Sequence, residues 1–312
     1  MFSLPTWFKH KLTAMKPEHN NKPLIPYGWL RVLIFILLYI GVLVAAGVIL
    51  VLLQRKAPVV PGKSETTSGF FYLSFIINAV ISAAMVWLFR KIVDRRSFES
   101  MGFTIDKNGA HAGAGFFLGI FLLCAGTCIL FFTKNLQWTD INFNGNDLFI
   151  SFGLMVIVAL YEELVFRGYI LNNLLESLGK WPALAISAVI FALAHLANPN
   201  FSVVAAINIL LAGVLLGLNY IYTKNLWFAI MLHFTWNFFQ GPILGYDVSG
   251  IPLKSLFEHE TVGSELLTGG KFGFEGSLIA TILQVLAIAV FVWVYENKYK
   301  PLPVIETDRV LA

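Results

Sequence analysis

LFISFGLMVIVALYEELVFRGYILNNLL, residues 148–175, decides the fold. Its first thirteen residues, 148–160, are almost wholly apolar and read as a membrane helix. The run then meets Glu162, Glu163 and Arg167 where hydrocarbon is expected. Each such charge costs roughly 2.5–3.5 kcal/mol at mid-bilayer on an insertion scale, so three together require protein or water around them.

The whole chain has the same character. Of its 312 residues 57% are hydrophobic and only 13% charged, with a mean hydropathy of +0.74. A soluble domain is closer to one quarter charged, so the composition specifies an integral membrane protein. At about 20 residues per span, the expectation is an all-α, polytopic bundle of about eight transmembrane helices. The expected spans are 32–53, 69–89, 110–132, 148–166 with an extension, 181–197, 202–222, 226–240 and 277–295. Trp29, Trp87, Trp138, Trp181, Trp227 and Trp293 fall near span ends, as interfacial anchors do. Residues 1–28 read as a basic cytoplasmic tail, 29–299 as the bundle and 300–312 as a second cytoplasmic tail. The polar, basic start and the length of the first apolar run argue against a cleaved signal peptide.

Lys and Arg set the expected orientation. With both termini in the cytoplasm, sixteen of the 22 fall on that side. The opposite face carries Arg55, Lys56, Lys63, Lys134, Lys254 and Lys271. The net charge of +4 reflects this asymmetry, and no basic-aromatic pattern points to nucleic acid. Cys124 and Cys128 are read as small residues packing between helices, beside the Gly115–Gly119 spacing, and not as a disulfide framework.

Several motif fragments lead nowhere. APVVPGKS (57–64) matches a relaxed phosphate loop without the preceding strand. GAGFFLG (113–119) lies inside an apolar helix, and HETVG (259–263) has Gly where a zinc protease helix needs its second His.

Three polar intrusions at membrane depth remain. Glu163 and Arg167 are four apart with the acid first, the spacing that favours an ion pair on one helix face. Glu162 points about 100° away and is left without that partner. His195 sits near the end of the fifth expected span. His233 and Asn237, four apart, share a face of the seventh. If the fourth helix continues to a tight turn at Gly179–Lys180, Glu162 and His195 stand roughly 26 and 23 Å from that turn and meet across a hairpin. His233 fits this level more loosely.

EELVFR, FALAH and HFTWN, in that order, resemble the motif set of the CPBP family of intramembrane endopeptidases, which includes CAAX prenyl proteases and bacteriocin-processing or immunity proteins. The resemblance covers about residues 148–240. It implies an all-helical fold with an intramembrane cavity, and Glu162 as general base supported by the Glu163–Arg167 pair. It also implies His195 beside the attacking water, with His233 and Asn237 near the scissile carbonyl. The residues make chemical sense of these roles. A carboxylate desolvated among apolar neighbours is a stronger base, and Asn237, or a protonated His233, can donate to an oxyanion.

A zinc ion held by Glu162, His195 and His233 stays open, although Glu162 does not readily serve as both ligand and base. The balance favours glutamate-activated water without metal. The expected substrate is a membrane-anchored or lipidated peptide or protein, of CAAX or pheromone type, met at the membrane lipid. The Gly- and Pro-containing stretch 241–276 is a candidate lid or substrate entrance on the non-cytoplasmic side. A non-catalytic scaffold or immunity factor, and a proton-coupled transporter, are the rival classes.

Overall fold

The computed structural model describes residues 22–56, 69–104 and 109–299. Most of the first tail, all of 300–312 and the 57–64 loop lie outside them. The chain runs up and down through α1 (Gly28–Lys56), α2 (Gly69–Ile92), α3 (Gly109–Phe132) and α4 (Gly145–Ser177). It continues through α5 (Lys180–Ala194), α6 (Val203–Thr223), α7 (Trp227–Phe238) and α8 (Leu278–Lys298). The expected all-α membrane bundle is what forms.

Of the eight rods, six are long and apolar enough to cross a membrane: α1 to α4, α6 and α8. The other two are short for a reason. α5 has 15 residues and stops at His195, its C-cap, where the chain turns back within the bundle. α7 has 12 residues and passes into a five-residue π-helical stretch, Phe239–Ile243, that contains Pro242. Proline lacks the N–H an α-helix needs there.

α4 is 33 residues long, about 50 Å at 1.5 Å per residue. The rod therefore does extend past Arg167 to a turn at 178–179, as the hairpin arithmetic requires. Inside it, Leu164–Leu171 is π-helical and wholly buried. Such widened turns shift which residues face the core, and they recur at functional sites.

Packing between α3 and α7 rests on glycine. A Cβ on Gly115 would stand 2.2 Å from the Phe228 carbonyl oxygen, and one on Gly119 2.2 Å from the Thr235 hydroxyl. Backbones approach closely where small residues recur every fourth position. Cys124 and Cys128 do not take part: both are exposed. The reading of them as interhelical packing residues is thus corrected. The spacing placed them together, and the buried stripe of α3 runs instead through Gly115, Gly119, Leu122, Leu123 and Gly126.

At the end where α1 begins and α2 and α4 finish, Arg31, Asp94 and Arg90 are buried in one ionic knot. Asp94 pairs with Arg31 at 3.0 Å and with Arg90 at 2.9 Å, while Glu176 pairs with Arg31 and Arg96. Arg31 and Arg90 are therefore structural as well as basic.

At the opposite end, β1 (Leu136–Ile141) pairs antiparallel with β2 (Phe257–Thr261), from Leu136 opposite Thr261 to Ile141 opposite Phe257, with a bulge near Trp138. The stretch 241–276, read from sequence as a loop, contains β2, a helical turn at Glu265–Thr268 and two 3-10 turns. His259 of HETVG lies on β2 and not on a helix.

Candidate active site

Glu162 and Glu163 close the α-helical part of α4, and Arg167 follows in the π-helical turns. Glu163 is fully buried and Arg167 nearly so. Their pairing at 2.7 Å is as the spacing predicts. Arg167 also donates to the Gly213 carbonyl on α6 at 3.1 Å, and its guanidinium lies 4.5 Å over the Phe191 ring of α5. One arginine thus joins α4, α5 and α6.

Both deep histidines are oriented by their Nδ1 atoms. His195 Nδ1 lies 2.8 Å from the Phe191 carbonyl oxygen, and His233 Nδ1 lies 2.8 Å from Glu163 Oε1. Each partner can only accept, so each Nδ1 carries the proton and donates. The opposite ring nitrogens, Nε2, then face Glu162. Its Oε2 stands 3.8 Å from His195 Nε2 and 3.9 Å from His233 Nε2. That oxygen has no hydrogen-bond partner in the protein, while Tyr161 donates to Oε1 at 3.4 Å.

These groups open into a cavity of about 400 Å³ whose lining includes Glu162, His195, His233 and Asn237. Glu162 is 15% exposed, His195 14% and His233 9%. The three residues are largely desolvated and open only in part onto the cavity, and the Glu162 Oε2 atom itself is buried. All six residues singled out in the sequence are therefore clustered, with Glu163 and Arg167 behind the cavity wall.

Other contributors carried weaker signals. Phe191, the first residue of FALAH, stacks near His195 with ring centroids 4.6 Å apart. Its signal was the one-turn spacing. Glu275 also lines the cavity, accepting from Trp236 Nε1 at 3.1 Å and from the Ser249 amide and hydroxyl at 2.8 Å. Nothing local in the sequence around Glu275 announces that placement. Val248, Ser249, Ile251 and Leu253 complete that side of the lining, so the 241–276 stretch is part of the cavity wall and not a detached connection.

Glu162 stands farther from each candidate zinc-ligating histidine than two ligands of one bound zinc stand from each other. Ligands about 2.0–2.1 Å from one tetrahedral zinc would lie roughly 3.3 Å apart, closer than the 3.8 and 3.9 Å separations here. Among the described residues no group of three or more His, Cys, Asp or Glu is arranged to hold a metal ion.

Residues 144–239 match a family model described as type II CAAX prenyl endopeptidase Rce1-like. No curated protein and no solved structure matches the chain. The matched stretch runs from Asn144, the N-cap of α4, to the first π-helical residue after α7, and it contains all three polar motifs. With this match inside a bundle of membrane-length helices, the chain is an integral membrane protein that is similar, over residues 144–239, to the type II CAAX prenyl endopeptidases.

Proposed function

We propose that the protein is an intramembrane endopeptidase that hydrolyses a peptide bond of a membrane-associated substrate, with Glu162 as general base. A water beside Glu162 Oε2 would donate one hydrogen to that oxygen and the other to a histidine Nε2. As the water oxygen attacks the scissile carbonyl, Glu162 takes its proton. Asn237 donates to the developing oxyanion, and His233 does so when its Nε2 is protonated. Collapse of the tetrahedral intermediate breaks the C–N bond as the proton on Glu162 passes to the leaving amine. Glu163 and Arg167 hold His233 and the three surrounding helices in place.

The observation that carries this reading is the convergence of Glu162 Oε2 with two outward-turned Nε2 atoms inside a cavity. A protein-lined cavity also lets polar groups and water exist at membrane depth. The Lys and Arg asymmetry of the sequence supports a reading with both chain ends in the cytoplasm. The test compares membrane peptides, by mass spectrometry, in cells carrying the wild type or Glu162→Gln. Substrates should accumulate uncut in the variant. Unchanged peptide profiles with biological activity retained would point to a scaffold or immunity role instead.

A further inference from the structure

Asn237 is aimed by the backbone that carries it. His233, one turn earlier on α7, is held by Glu163, but among the described residues no hydrogen bond holds the Asn237 side chain. Its placement therefore depends on where the last turn of α7 sits. That turn is weakly self-supporting. α7 ends at Phe238, and the π-helical stretch Phe239–Ile243 beyond it contains Pro242, which has no N–H to give to the ladder. Support has to come from outside the helix.

Glu275 supplies it. Its Oε1 accepts from the indole Nε1 of Trp236, the residue before Asn237, at 3.1 Å. Its Oε2 accepts from the amide and the hydroxyl of Ser249, both at 2.8 Å. One carboxylate, on a residue 8% exposed, thus ties the end of α7 to the cavity wall at Ser249. Gln240, fully buried, makes a second tie between the same two parts by donating to the Asp247 carbonyl at 2.8 Å. Glu275 is itself anchored. Its peptide carbonyl accepts from Asn208 of α6 at 2.7 Å, and a Cβ on Gly273 would stand 1.8 Å from the Asp247 carbonyl oxygen.

The chemistry of the side chain suits this link. Three donors converge on it and none is a cation. A carboxylate accepts at both oxygens. A glutamine amide of the same shape would point N–H at Trp236 or at Ser249 whichever way it turned, stranding a donor. Slack in the link would reach the reaction through Asn237, because misplacing a reacting group by about 1 Å can cost on the order of 10²-fold in rate.

Resting on the proteolytic reading above, we infer that Glu275 is a positioning residue of the reaction: by holding Trp236 against Ser249 it sets the Asn237 amide where the oxyanion develops. Glu275 lies outside the matched residues 144–239.

The test is a set of steady-state measurements on the full-length protein in detergent, with rates corrected for the folded fraction. Two internally quenched probes are used. One is a farnesylated peptide ending in cysteine, two aliphatic residues and methionine, and the other a palmitoylated peptide pool of randomised apolar sequence. Glu275→Gln and Trp236→Phe should each lower kcat about tenfold or more, and the double variant should lose no more than either alone. In an Asn237→Ala background, Glu275→Gln should change kcat by less than about twofold, since the group it positions is gone. Trp236→Phe removes the same hydrogen bond and keeps a ring in place, so it carries the test if Glu275→Gln folds poorly. A tie that only supports the fold gives a different pattern: unchanged kcat in the folded fraction, or a loss that multiplies with that of Asn237→Ala. Either result overturns the inference. An inactive Glu162→Gln beside an unaltered Glu275→Gln removes the inference alone. If Glu162→Gln cuts as the wild type does, or the wild type cuts neither probe, the proteolytic reading fails and this inference with it.

Discussion

Glu163 and His233 are joined by a 2.8 Å hydrogen bond across 70 residues of chain. The same carboxylate oxygen accepts from Arg167 at 2.7 Å. Glu163 therefore neutralises a buried guanidinium and aims an imidazole with one atom, while its neighbour Glu162 faces the cavity. The two adjacent glutamates should respond differently to the same substitution. Glu163→Gln leaves Arg167 without its counter-charge, and breaking a buried pair costs on the order of 3–5 kcal/mol. Glu162→Gln breaks no ion pair with a cation. Its stability should stay within about 1 kcal/mol of wild type, while turnover falls by about 100-fold or more with the base removed. Thermal unfolding in detergent, run beside a cleavage assay, separates the two. Equal destabilisation by both would remove the assignment.

Asn237 lies one helical turn beyond His233 and lines the same cavity. As an oxyanion donor its loss to Ala should reduce kcat by about 10²–10³ with little change in KM. A rise in KM alone would mean that it binds substrate without stabilising the transition state.

How legible the site was from sequence depended on periodicity. Glu163–Arg167 and His233–Asn237 are one-turn pairs on continuous helices, so spacing placed them correctly. The hairpin joining Glu162 to His195 followed from counting residues to one turn. Three features had no such handle. The π-helical turns at Leu164–Leu171 arise from hydrogen-bond registry in the packed bundle, which residue types do not encode. Arg31 and Asp94 meet across 63 residues and different helices, and from sequence Arg31 was only a face charge. Glu275 reaches the cavity because the irregular 241–276 stretch folds over it, and turn chemistry says little about where a long segment lands.

Asp94 is the hub of the ionic knot, and both of its arginine partners are buried. Asp94→Ala should cost about 3–5 kcal/mol by stranding them. The site lies well above this level, so the activity of the fraction that remains folded should be preserved. Specific activity corrected for folded protein checks this, and a loss of corrected activity would show that the knot also shapes the cavity.

Gly115 offers a mechanical test of the α3–α7 contact. Its added Cβ would meet the Phe228 carbonyl at 2.2 Å, and backbone cannot yield as a flexible side chain would. Gly115→Val should force the helices apart at a cost of about 1–3 kcal/mol or more. Because α7 carries His233 and Asn237, activity should fall with stability. Gly113, whose added Cβ meets nothing within 4 Å, is the matched control. Gly113→Val should be nearly silent.

His259 predicts a pH dependence at the β1–β2 end. On β2 it donates from Nδ1 to the Leu244 carbonyl at 2.9 Å and packs against Tyr246 with ring centroids 4.4 Å apart. Burial is the largest influence and lowers its pKa below the usual 6.5, with the Leu244 bond acting in the opposite direction. The unfolded chain therefore binds the proton more readily than the folded one just below pH 6.5. The stability contributed by neutral His259 is full above that pH and is lost as pH falls through the window beneath it. Hydrogen exchange of the 244–261 amides should accelerate between pH 7 and 5 after correction for the intrinsic rate. His259→Phe keeps the ring packing but has no titrating nitrogen, so its corrected exchange should be flat over the same range, from a less protected baseline. Parallel pH slopes in the two proteins would show that another group controls the opening of this segment.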